Sequence, residues 1–294
     1  MSSIISLERV VIMRDHCRFI FFGIKSITFR YSGTENKVMT KTIGNDSHEG
    51  EHNVSSFFNY QLQDGFHEIF TYRGHRLQLR GLNAVEWSDD ARRQTGFYYR
   101  QHFLSWDVKQ VILWRQDFVA SQNEPQTHPV TINHIRFSNQ PNFIAAIVHV
   151  HKLKVFLAVA LDMSFKLFDR QLLLLESIRH DERAILQLEY DASKDLIFTS
   201  GATGIFAWRL YRNTSLDKAH VMEKLYGFSG CSDWITKMIY EPQFNRIYAL
   251  KERTAQVISM SRKAVVTVLE ECHEAPINVV CWYERNQFYL TGCW

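Results

Sequence analysis

Residues 178–210 read IRHDERAILQLEYDASKDLIFTSGATGIFAWRL, and this stretch decides the fold class. It opens at His180. An apolar alternation follows at Ile185, Leu188 and Tyr190, then a polar four-residue turn from Ala192 to Asp195. A second apolar run, Leu196-Ile197-Phe198, leads to a corner of small residues, Ser200-Gly201-Ala202, and a third run ends in Trp208. Alternation with period two marks half-buried strands, and short polar turns between such runs mark hairpins. Three short strands with one tryptophan at a set place make up most of a four-stranded antiparallel unit.

The pattern recurs outward from this stretch. Ser105-Trp106-Asp107 stands at a corner before VKQVILW, which ends at Trp114. Asp162 precedes MSFKLF, which ends at Phe168-Asp169, and a weaker copy places Thr254 at the corner and Met260 at the end. The end position thus recurs at 114, 168, 208 and 260, with gaps of 54, 40 and 52 residues. Forty residues is the length of a propeller blade. The two longer gaps coincide with polar insertions at 117–129 and 211–224. First strands are expected at 144–150, 185–190, 235–240 and 277–282, and second strands at 155–160, 196–200, 246–250 and 288–292. The intervening turns HKLK, ASKD, PQFN and ERNQ are short and polar, as hairpin connections are.

Composition excludes several classes. The 294 residues carry 34 basic and 31 acidic side chains, a net charge of +3, which is not the concentrated basic footprint of a duplex-binding domain. The six-residue apolar run 19–24 is too short and its flanks too charged for a membrane span or a secretory signal. The cysteines are Cys17, Cys231, Cys272, Cys281 and Cys293, an odd number with no CxxC pair, which reads as reduced thiols of an intracellular, soluble protein. Residues 1–32 alternate loosely enough for a strand pair, with no trace of the later repeat, and 33–56 are polar enough to be a disordered loop.

From about residue 80 onward the chain resembles the WD-repeat β-propeller family. The residues that carry the likeness are His180 with Trp208, Asp162 with Phe168-Asp169, Ser105-Trp106-Asp107 with Trp114, and the terminal Thr291-Gly292-Cys293-Trp294. In that family a His, a Ser or Thr, a corner Asp and the Trp form a hydrogen-bonded network within each blade. Here His180, Ser200 and Trp208 are matched while Ala202 replaces the Asp, Gln140 stands where Asp162 would need a His, and no copy is expected to hold the full set. The resemblance implies an all-β, incomplete propeller of about four to five four-stranded blades. Residues 1–56 are then a poorly defined, partly disordered N-terminal segment, and 57–294 are the partial propeller. His273 precedes an expected corner at position 295, so the last blade reads as cut off mid-blade and the chain as an N-terminal fragment of a longer protein.

Candidates for chemistry are few. His149 and His151, two apart on one strand, have a possible metal-ligand spacing or are ordinary strand residues. His48 and His52 lie among acids in a polar loop, Asp181-Glu182 reads as a surface-loop pair, and Cys272-His273-Glu274 point apart on an extended chain. The run 97–102, Phe-Tyr-Tyr-Arg-Gln-His, interleaves aromatics with a base and either stacks on single-stranded nucleic acid or forms a half-buried strand. No phosphate loop, nucleophile elbow, zinc-protease helix or calcium loop is present in the sequence. No catalytic residue, cofactor or metal is therefore expected, nor a nucleic-acid or membrane partner. Degenerate blades with long insertions and the stretch HEAPINVVCWY resemble the large WD-repeat proteins of cilia and flagella. That implies a non-enzymatic scaffold of the axoneme, a cytoskeletal protein–protein interaction partner of microtubules, with tubulin or other axonemal proteins contacted by basic loop residues such as Arg209, Arg212 and Lys218. The alternative is a soluble adaptor, such as a ubiquitin-ligase substrate receptor or a trafficking-coat subunit.

Overall fold

The computed structural model describes residues 10–13, 18–22, 27–32, 66–72, 75–77, 79–85, 98–119, 130–138, 142–213, 220–231, 234–271, 273–283 and 288–293. These residues form 22 strands and no α-helix, so the fold is all-β. They build five four-stranded antiparallel sheets and one two-stranded sheet, each a meander of strands consecutive in sequence.

The first sheet holds β1 (Val10–Met13), β2 (Arg18–Phe22), β3 (Ile27–Ser32) and β4 (Phe66–Tyr72). The second holds β5 (Gly81–Val85), β6 (Tyr98–Trp106), β7 (Gln110–Val119) and β8 (Val130–Arg136). The third comprises β9 (Ile144–Val150), β10 (Val155–Ala160), β11 (Ser164–Phe168) and β12 (Leu174–Arg179). The fourth comprises β13 (Ile185–Asp191), β14 (Leu196–Gly201), β15 (Gly204–Arg212) and β16 (His220–Gly227). The fifth has β17 (Lys237–Glu241), β18 (Arg246–Lys251), β19 (Thr254–Ser259) and β20 (Ala264–Leu269), and the sixth β21 (Ile277–Tyr283) and β22 (Phe288–Cys293).

A shared irregularity gives the sheets a common register. In each four-stranded sheet the pairing of the third and fourth strands skips one residue of the fourth: Ile69, Ile132, Leu175, Leu225 and Val266. The skipped residue is aliphatic every time. The third-strand residues at that break are Arg30, Trp114, Phe168, Trp208 and Ile258. The expected end positions 114, 168 and 208 therefore hold, and the fourth is Ile258 rather than Met260. The first sheet was not visible as a repeat, because β3 and β4 lie far apart in sequence and Arg30 stands where the aromatic would be. Residues 33–56 lie outside the described residues.

Each core sits between consecutive sheets. Leu104, Trp106 and Val111 pack with Ile147, Phe156 and Phe168 between the second and third, and Val148, Leu157 and Phe165 pack with Leu188, Ile197 and Trp208 between the third and fourth. Phe198, Ile205 and Ala207 meet Met238, Ile247 and Ile258 between the fourth and fifth, and Leu250 meets Ile277 and Val280 beyond that. First strands pack on first strands, β9 on β13, β13 on β17 and β17 on β21. Buried and half-buried polar groups stitch these inner strands together. The Gln187 amide donates to Met238 O at 2.7 Å and accepts from Met238 N at 2.8 Å, and Asn83 Nδ2 donates to Ile147 O at 2.9 Å. Among the described residues, units that bury apolar surface against the next sheet in this way have the energetics of a repeat array.

The turns after β9, β13 and β17 end on Lys154, Asp195 and Asn245, with φ of 56°, 54° and 53°. Asp and Asn visit the left-handed region far more readily than lysine. There a lysine is disfavoured by roughly 1–2 kcal/mol, so Lys154→Gly is expected to stabilise by about 0.5–1 kcal/mol after glycine's greater freedom when unfolded. A thermal midpoint that stays level or falls would refute strain at this turn.

Candidate functional site and its hydrogen-bonded network

The second sheet holds a complete four-residue network. His75 Nδ1 lies 2.9 Å from Asp107 Oδ2, His75 Nε2 lies 2.8 Å from Ser105 Oγ, and Trp114 Nε1 donates to Ser105 Oγ at 3.2 Å. An ionised carboxylate only accepts, so the imidazole carries its proton on Nδ1. With the ring neutral, Trp114 donates to Ser105, Ser105 to His75 and His75 to Asp107, a chain in which each bond polarises the next. Burial by itself would raise the Asp107 carboxyl. The hydrogen bond from His75 and the main-chain donors of Lys109 and Gln110 outweigh it and hold the group below the usual carboxylate value. Trp114 stacks on Phe103 at 4.5 Å, closing the lower end of the network.

This corrects the expectation that no copy has every signature residue. His75 stands 32 residues before Asp107 instead of the 22 that His180 suggested, because the segment joining β5 to β6 is long. Aspartate, histidine and serine also share the connectivity of a nucleophilic triad. Ser105 is 0% exposed and its oxygen is taken by the Trp114 N–H, so the serine faces no substrate and the network pins strands.

The opening stretch departs from its expected pairing. Trp208 Nε1 donates to Thr199 Oγ1 at 2.9 Å, and it is Thr199, not Ser200, that matches Ser105. The corner that matches Asp107 is accordingly Gly201, not Ala202. One residue of slip moves a strand's side chains to the opposite face, and the Ser200 hydroxyl is buried with no hydrogen-bond partner among the described residues. The His180 ring instead packs on Phe165 at 4.7 Å, and Phe165 meets Trp208 edge-on at 5.3 Å. In the fifth sheet Lys251, not Thr254, occupies the corner. In the sixth, His273 Nε2 lies 2.7 Å from Thr291 Oγ1, and Val280 faces Thr291 as Leu188 faces Thr199. That register places Cys293 at the corner position, two residues before the expected 295.

The third sheet substitutes a different network. Ala160 takes the corner, while Asp162 lies in the turn and accepts from Ser164 Oγ and, at 2.9 Å, from Lys166 Nζ. Lys166, 6% exposed, also donates to Asn142 Oδ1 at 3.1 Å. A buried ammonium and a half-buried carboxylate thus tie the same hairpin that histidine and aspartate tie in the second sheet.

Other sequence candidates fall as follows. Asp181-Glu182 is not simply a surface pair, since Glu182 is 6% exposed, accepts from Thr203 Oγ1 at 2.6 Å and is bonded by Lys224, whose ammonium lies 3.9 Å from the Phe206 ring centre. Arg209 and Arg212 are exposed, but on strand β15 rather than in a loop, and Lys218, His48, His52 and Cys272 lie outside the described residues. Of the run 97–102, residues 98–102 belong to β6, and His102 is buried. Burial raises the Cys231 thiol to about 11, which leaves it unreactive. Among the described residues no three His, Cys, Asp or Glu side chains cluster as metal ligands, and no helix is long and apolar enough to cross a membrane.

The His149 and His151 rings meet edge to face at 4.5 Å. Burial first, then the charges of His151 and Arg170, depress the His149 imidazole to about 3. An unfolded histidine titrates near pH 6.5. The folded value lies below the unfolded one, so this contribution is full above about pH 6.5 and is lost as the pH falls, by up to about 1.4 kcal/mol per unit. Replacing His149 by leucine should flatten the dependence of the denaturant midpoint on pH between 6.5 and 4. An unchanged slope would show that another group carries it.

No family model and no curated protein matches this chain.

Proposed function

We propose that the sheets are blades of a WD-repeat β-propeller and that the chain is a non-enzymatic scaffold of the ciliary or flagellar axoneme, associated with microtubules. The observation that carries this reading is the His75–Ser105–Asp107–Trp114 network, set in a sheet whose strand order and register break recur along the chain. Its polar groups are consumed in holding strands together, which leaves function to exposed surfaces. Side chains such as Arg209 and Arg212 offer positive charge to an acidic partner such as tubulin. Fractionation of ciliated cells tests the proposal. The protein is expected in the axonemal pellet after detergent washing, and its recovery in the cytosolic fraction with none in the pellet would overturn the axonemal assignment.

A further inference from the structure

Three consecutive leucines face solvent where the third sheet ends. Leu173, Leu174 and Leu175 are 64%, 55% and 50% exposed. In an unbroken strand, neighbours alternate between faces. Here Phe168 pairs with Leu174 and Leu167 with Glu176, leaving Leu175 as the extra residue of the bulge. A bulge re-aims side chains, and both Leu174 and Leu175 turn outward. Leu172 just before them is buried with φ of 60°, an unfavourable conformation for leucine that sets the direction of the run.

The neighbouring outer strand extends the strip. The Asn133 amide donates to Gln171 O, which holds β8 beside the turn into β12, and β8 adds Val130 and Ile132, 46% and 45% exposed. Arg136 on β8 and Arg179 on β12 are exposed further along the same strands. The one acid of β12, Glu176, is engaged by the His220 main-chain N–H at 3.0 Å. Among the described residues β12 pairs with β11 alone, so its outer edge has no strand partner. Edge strands are usually blunted with charge or proline; the start of β12 carries leucine.

From this juxtaposition we infer that the β12–β8 rim docks an extended, acidic, leucine-bearing segment of another protein. The partner's leucines lie against Leu173, Leu174 and Leu175, its carboxylates against Arg136 and Arg179, and its main chain along the edge of β12. An anionic membrane would meet the same leucines and arginines but makes no use of a strand edge, which favours the peptide. The inference rests on the reading of the chain as a protein-interaction scaffold.

The test uses the full chain and a fluorescent peptide alternating leucine and glutamate, a matched leucine–lysine peptide, and phosphatidylserine–phosphatidylcholine vesicles. The acidic peptide is expected to bind at least about tenfold more tightly than the basic one, and less tightly as salt rises. Leu174→Glu with Leu175→Glu should abolish binding, and Arg179→Glu should narrow the preference for the acidic peptide. Both alter exposed positions, so an unchanged unfolding midpoint confirms that the fold is intact. Equal binding of the two peptides, undiminished binding by the double variant, or capture by vesicles without peptide binding would each overturn the inference. If the acidic peptide fails while the protein still pellets with axonemes, this surface is wrong and the scaffold reading stands. Peptide binding by a protein absent from the pellet overturns the axonemal assignment alone.

Discussion

Asp107→Ala should destabilise the protein by about 2–3 kcal/mol, the upper part of the range for leaving a buried donor without its acceptor. Asp107 is 1% exposed and receives His75 Nδ1 at 2.9 Å and the Lys109 N–H at 2.7 Å. Truncation leaves the buried His75 N–H and the part-buried Lys109 main-chain N–H without their acceptor, and the imidazole loses the group that fixes its tautomer. The loss passes down the chain, because Ser105 and Trp114 depend on that orientation. Urea unfolding at neutral pH measures the effect, and a drop below about 1 kcal/mol would mean the network contributes no more than one ordinary hydrogen bond. The pH dependence has a definite sign. The folded carboxyl titrates below its unfolded value, so its contribution is present above about pH 5 and is lost as the pH falls through the folded value. The alanine variant should lack that acid-side loss.

Gly201→Asp, which would supply the missing corner carboxylate of the fourth sheet, is expected to destabilise rather than repair. A Cβ at Gly201 would lie 2.0 Å from the Ala184 carbonyl oxygen, and Ala202 N donates to that same oxygen at 2.9 Å. The main chain joining the third sheet to the fourth therefore runs through the space a side chain needs. Moving it disturbs this bond and the nearby anchorage of Glu182 by Thr203 and Lys224. Overpacking of this kind costs about 1–3 kcal/mol and more when backbone must shift. Gly201→Ala, with no carboxylate to place, should lose nearly as much as Gly201→Asp. Thermal unfolding of the two variants decides it: a Gly201→Asp protein as stable as the parent would mean that the loop moves freely and that the carboxylate reaches its partners.

The two sites show why family likeness at a single position is a poor guide. Asp107 and Gly201 occupy the same register, yet one pocket holds an imidazole and the other a carbonyl from a neighbouring connection. His180 lies 21 residues before the corner Gly201 and is turned against Phe165. His75 lies at an unexpected distance and completes its network. Counting residues between a histidine and a corner assumes a fixed connection, and these connections differ in length.

The sequence by itself determined the all-β class, the repeat of strand pairs and most strand limits. β9 and β10 fall where the alternation of residues 144–160 places them, and Trp114, Phe168 and Trp208 hold their shared position. These features follow from short-range rules: side chains alternate along a strand, and polar turns join apolar runs. Only the tertiary structure decided which side chains meet. It selected Thr199 over Ser200, joined His75 to Asp107, buried Glu182, brought β4 alongside β3 and turned three leucines outward at one bulge. Each depends on register or on the path of a connecting segment, and a shift of one residue reverses the face presented while leaving the pattern of apolar residues unchanged.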